Sequence, residues 1–152
     1  MDIDIDIPGL PSLVRRYGTG IAPIVQDEQK RAGDRSGLAV MRRAQGKVRV
    51  KTGHLRRSVT FTTTVQGFAV ETKVGTNVPY GRYLDEGTRA HGPVRARVLV
   101  FQVGGKTVFA RRVRGITGDR WFTGSWDASK PEVRREFAEV PKRIVNRITK
   151  GG

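Results

Sequence analysis

Between residues 21 and 75 the spacing of apolar side chains switches from helical to extended, which points to a helix packed on an antiparallel hairpin. Ile21, Ile24, Val25, Ala32, Leu38, Met41 and Ala44 recur at three- to four-residue spacing and predict a helix over 21–45. Pro23 suits its first turn. Asp27 and Glu28 lie toward its N-terminal end and Arg42 and Arg43 in its last turn, as the helix dipole prefers. Gly33 and Gly37 weaken its middle and predict a break near 33–37. Beyond a Thr-Gly turn, Phe61, Thr63 and Val65 alternate with Thr60, Thr62 and Thr64. Gln66-Gly67 is the expected turn, and FAVETKVG (68–75) the return strand.

The remaining segments follow the same rules. Residues 78–86 suit a short helix stopped by Gly87. Residues 98–103 and 107–113 flank Gly104-Gly105-Lys106, a hairpin signal. A second helix is expected from Asp127, with Pro131 in its first turn. Val133, Phe137, Val140, Ile144, Val145 and Ile148 form its stripe, and Pro141 kinks or splits it. At the N-terminus, DIDIDI alternates strictly and puts Ile3, Ile5 and Ile7 on one face of a short strand. A lone strand cannot stabilise itself, so it needs a sheet edge in this chain or another. The expected architecture is α+β in a single domain spanning 1–152. A small antiparallel sheet packs against an N-terminal and a C-terminal helix, with an extended N-terminal arm over 1–20 and a projecting basic hairpin over 89–120.

Charge narrows the partners. The chain has 152 residues, 29 basic and 14 acidic, for a net charge of +15. This favours a polyanion or an acidic protein surface. Residues 30–57 hold ten basic side chains against one acid, and 87–118 hold seven and none. The acids gather in the N-terminal arm and the C-terminal helix. No helix-turn-helix, zinc-finger or stacking-aromatic pattern accompanies the basic stretches, so nucleic-acid contact would be non-specific. With no cysteine, thiolate metal sites and disulfides are excluded. No apolar run reaches the ~20 residues of a membrane span. The acidic start lacks the features of a signal peptide, so a soluble, non-secreted protein with no membrane partner is expected.

The segment 77–93, NVPYGRYLDEGTRAHGP, brings Asp85, Glu86, Arg89 and His91 together on a glycine-rich stretch. Adjacent residues point in different directions, so Asp85 and Glu86 do not form a carboxylate dyad. His54 is the only other histidine, too few for a metal set, and no nucleophile motif or phosphate loop appears. No enzyme, cofactor or metal is expected. Asp85 and Glu86 are instead expected to pair with arginines, locally or on a neighbouring subunit. Trp121, Phe122 and Trp126 are expected to pack the last helix on the sheet, the alternative being an interface anchor.

Two motifs carry a family resemblance. In KTGHLRRSV (51–59) the residues are Thr52, Gly53, Leu55, Arg56 and Ser58. In VGTNVPYGRYLDEGT (74–88) they are Val74, Gly75, Tyr80, Tyr83, Leu84, Gly87 and Thr88. In this order and spacing they resemble the tail-completion or neck proteins of long-tailed bacteriophages. Trp121-Phe122 departs from that family's Pro-Phe step. The resemblance implies a non-enzymatic virion protein made in the host cytoplasm. Its copies would form a ring, commonly of six, at the head–tail junction. The ring would join the head connector or stopper to the tail tube or tail terminator, with genomic DNA in the lumen. Under this reading Ile3, Ile5, Ile7, Asp85, Glu86, Arg89 and His91 are expected at subunit contacts. Arg95, Arg97, Arg111, Arg112 and Arg114 are expected to meet DNA or connector. The competing expectation is a non-specific nucleic-acid-binding module.

Overall fold

One 26-residue helix, α2 (Ala22–Lys47), is the platform on which the first hairpin and the C-terminal helices pack. The computed structural model describes Ile5, residues 7–49 and residues 53–150. In chain order, α1 is Leu10–Tyr17, followed by a 3-10 turn at Thr19–Ile21 and then α2. Next come α3 (His54–Ser58), β1 (Val59–Gln66), β2 (Ala69–Thr76), α4 (Tyr80–Glu86), β3 (Leu99–Val103) and β4 (Lys106–Ala110). Helices α5 (Thr123–Ala138) and α6 (Val140–Lys150) complete the order. The class is α+β, with a long N-terminal helix and C-terminal helices as expected. The sheet is divided into two separate two-stranded ribbons, β1–β2 and β3–β4.

Helix α2 runs unbroken through Gly33 and Gly37, correcting the expected interruption. Both glycines are buried against the β1–β2 ribbon. A Cβ on Gly33 would lie 2.7 Å from Thr63 Cγ2 and from Thr72 Oγ1; one on Gly37 would lie 2.6 Å from the Phe61 ring. The glycines therefore let the ribbon approach the helix axis. Closer packing offsets the ~1 kcal/mol that each costs in helix propensity. Strand β1 pairs antiparallel with β2 from Val59↔Thr76 to Gln66↔Ala69, and its alternate side chains Phe61, Thr63 and Val65 are half-buried, with Val59 buried. The turn is Gly67-Phe68, one residue later than expected.

The N-terminal segment also departs from expectation. Leu10–Tyr17 is helical rather than extended, because Pro11 sits in the first turn, where its missing N–H costs nothing. Ile5 and Ile7 belong to no strand. Ile7 and Leu10 are buried in the main core with Ile21, Val25, Ala32 and Val40 of the α2 region and Val133, Phe137, Val140 and Ile144 of α5 and α6. Ile5 packs against it. Ile3 lies outside the described residues. A second cluster joins Ala44, Val48, Leu55, Val59, Val78 and Trp121.

Helix α5 starts at Thr123, four residues before the expected Asp127, so Pro131 falls inside it. The helix pair divides at Glu139, and Pro141 opens α6, the expected split. Ion pairs tie α5 and α6 to α2. Glu136 Oε1 accepts from Arg35 Nε at 2.6 Å and from Arg143 Nη1 at 2.5 Å. Arg147 reaches both Asp27 and Glu28. Arg43 donates to Ser129 Oγ at 2.5 Å.

Candidate functional site

The segment after α4 leaves the body of the protein and returns to it. Gly87 ends α4, and the outgoing and returning chains then run side by side. Thr88 N–H donates to the Ile116 carbonyl at 2.8 Å, and Ile116 N–H to Thr88 Oγ1 at 3.0 Å. His91 and Val113 exchange both backbone hydrogen bonds. The two backbones are in direct contact: a Cβ on Gly115 would sit 2.0 Å from the Thr88 carbonyl oxygen. Only glycine permits this narrow stalk. At its far end β3 and β4 pair from Leu99↔Ala110 to Val103↔Lys106. Gly104 and Gly105 turn the ribbon, both in the left-handed region at φ 57° and 78°, as a two-residue hairpin turn of this hand demands.

The stalk concentrates uncompensated charge. Arg89, Arg95 and Arg97 lie on the outgoing chain and Arg111, Arg112 and Arg114 on the returning one, all exposed. Among the described residues none of the six forms an ion pair, whereas Lys30, Arg31, Arg35, Arg43 and Arg49 of the other basic stretch all pair with acids of this chain. The two basic runs, indistinguishable by composition, therefore differ: much of the first is internally neutralised, and the second faces solvent.

The cluster at 85–91 does not converge. Asp85 is buried, and its Oδ1 accepts the backbone N–H groups of Phe122 at 2.7 Å and Thr123 at 3.1 Å. It caps α5 from α4, satisfying donors that a helix start leaves open. The expectation of an arginine partner for Asp85 is thus corrected: among the described residues it forms no ion pair. Glu86 pairs with Arg82 of its own helix at 2.9 Å. His91 is exposed, with Nδ1 3.2 Å from the Arg89 carbonyl. Trp121 is buried and donates from Nε1 to the Gly81 carbonyl at 3.0 Å, so it packs the helix junction and does not anchor a partner.

Residues 14–87 match the family model described as "Bacteriophage HK97-gp10, putative tail-component". Over this stretch the chain is similar to that family of phage tail components. The match bears out the resemblance to phage tail-completion and neck proteins. No curated protein and no solved structure matches the chain. The matched stretch ends at Gly87, the residue from which the stalk departs; the ribbon and α5–α6 lie beyond it.

Two features of the surface are not visible in the charge pattern. The ribbon carries exposed apolar side chains on both faces: Val100 and Phe109 directly opposite on one, Phe101 and Val103 on the other. A groove of about 540 Å³ also lies over α2, between β2 and α5. Within it Gln29 Oε1 and Ser36 Oγ are buried with no hydrogen-bond partner among the described residues. The signal for the ribbon is in the sequence, since VLVFQV is apolar at consecutive rather than alternate positions. The groove has none, because Gln29 and Ser36 look like ordinary polar positions on a helix.

Proposed function

We propose that this protein is a structural, non-enzymatic component of the phage virion that acts at the head–tail junction. Copies assemble head-to-tail into a ring, six by the resemblance, that joins the head connector to the tail and lets the genome pass. The observation that carries this reading is the match of 14–87 to a phage tail-component family. The stalk supports it. A tail component that meets DNA or an acidic connector needs positive charge its own acids do not cancel, and Arg95, Arg97, Arg111, Arg112 and Arg114 supply it. A closed ring needs two different contact surfaces on one chain, and the projecting ribbon and the domain body offer them. The test is a nonsense mutation in the phage. Filled heads and separate tails should accumulate, and the subunit should lie at the neck in electron micrographs of wild-type particles. Intact infectious particles lacking the protein would overturn the proposal.

A further inference from the structure

We infer that the β3–β4 ribbon of one copy seats in the groove between β2 and α5 of the next. This rests on the ring reading and specifies its contact. The ribbon is incomplete alone. A two-stranded hairpin is marginal in water, yet this one packs mainly on itself and exposes Val100, Val103 and Phe109 at 58–66%. Apolar side chains on both faces call for burial on both, and among the described residues each strand has an edge without a partner strand.

The groove has the complementary form. Its floor is α2, where Gln29, Ser36 and Val40 face it; one wall is β2 with the Phe68 turn, and the other is Trp126, Val133 and Phe137 of α5. Among the described residues β2 pairs only with β1, which leaves its other edge to an added strand. A five-residue strand extends about 17 Å, close to the length of the groove-lining run 69–74. Gln29 is fully buried, and its amide nitrogen donates to the Phe68 carbonyl at 2.6 Å, which aims Oε1 elsewhere and leaves it an acceptor without a donor. A docked strand can bring backbone N–H groups to such an acceptor. Ile5 and Ile7 add to the apolar lining of the groove, which suits an apolar ribbon.

Ribbon and groove are distinct surfaces on one chain, so their contact is heterologous and can close a ring. The test uses two full-length variants, Val100→Ser/Phe109→Ser for the ribbon and Phe68→Arg for the groove. All three side chains are exposed, so circular dichroism should match the wild type. Sedimentation should show a wild-type oligomer and each variant alone as a monomer. The two mixed should form a heterodimer and nothing larger, because one intact ribbon meets one intact groove. As a second readout, the chain has no native cysteine. Phe68→Cys/Phe109→Cys in one chain should therefore give a ladder of disulfide-linked oligomers on oxidation, and either single variant dimers at most. An oligomeric wild type with equally oligomeric variants, or a monomeric mixture, would overturn the docking and leave the ring standing. A wild type that stays monomeric at high concentration would overturn the ring reading itself.

Discussion

The carboxylate of Asp85 on α4 accepts the backbone N–H of Phe122 at 2.7 Å, fastening the start of α5 to the last helix of the stretch that matches the phage tail-component model. The same carboxylate oxygen takes the Thr123 N–H, and the Asp85 carbonyl takes that of Arg120 at 3.1 Å. Asp85 thus helps close the loop that the ribbon excursion opens, beside the Leu84 carbonyl, which accepts the Asp119 N–H at 3.0 Å. Asp85→Ala should destabilise the protein by about 1–3 kcal/mol, since buried N–H groups are deprived of their acceptor. Asp85→Asn keeps an acceptor oxygen and should recover more than half of that stability. Chemical denaturation of both variants measures this; an Asp85→Ala protein as stable as the wild type would show that the cap contributes nothing.

Gly37 makes the opposite prediction from helix propensity. Alanine in its place should favour an isolated helix by about 1 kcal/mol. Here the new methyl would meet the Phe61 ring at 2.6 Å and Thr72 Cγ2 at 2.9 Å. Overpacking of this kind costs about 1–3 kcal/mol. Gly37→Ala should therefore lower the melting temperature, while the same substitution at exposed Gly46, which has open space around it, should raise it.

Those two positions show where the sequence is readable and where it is not. The periods of 21–45 and 60–75 locate α2 and the β1–β2 ribbon to within a few residues, because one face of each is buried. Gly33 and Gly37 imitate a break because local propensity says nothing about a strand packed against the helix. The role of Asp85 is hidden because its partners lie 37 and 38 residues away, and long-range capping leaves no local pattern. Leu10–Tyr17 is hidden as a helix because Pro8 and Pro11 look like the end of a strand. The split at Pro141 is legible since a proline ring acts on its own turn.

Glu136 links stability to pH. Partial burial raises its pKa, but hydrogen bonds from Arg143 and Arg35 outweigh this, and the net shift is downward from the ordinary 4.5. A carboxylate with a lowered folded-state pKa stabilises the protein above its unfolded value, and that contribution disappears as pH falls through the folded value. The wild type should thus lose stability as the pH drops below 4.5. Glu136→Gln should melt lower than wild type at pH 7, and the difference should shrink steadily below pH 4.5. A gap independent of pH would mean that the effect reflects packing alone.

The unpaired arginines of the stalk give the last prediction. If they meet phosphates, removing each positive charge should flatten the slope of log affinity against log salt by about 0.9 on duplex DNA. Replacing Arg95, Arg97, Arg111, Arg112 and Arg114 with alanine should therefore weaken binding by the assembled protein and reduce its salt dependence in proportion. Stability should hold, because all five are exposed and none forms an ion pair among the described residues. Replacing Arg35 and Arg43 instead should lower the melting temperature and leave the slope unchanged, since both already face acids of this chain. Strong, steeply salt-dependent binding by the isolated monomer would favour a nucleic-acid-binding module over a joining ring. An unchanged slope in the five-arginine variant, combined with failure to attach to heads, would place these side chains against an acidic connector surface.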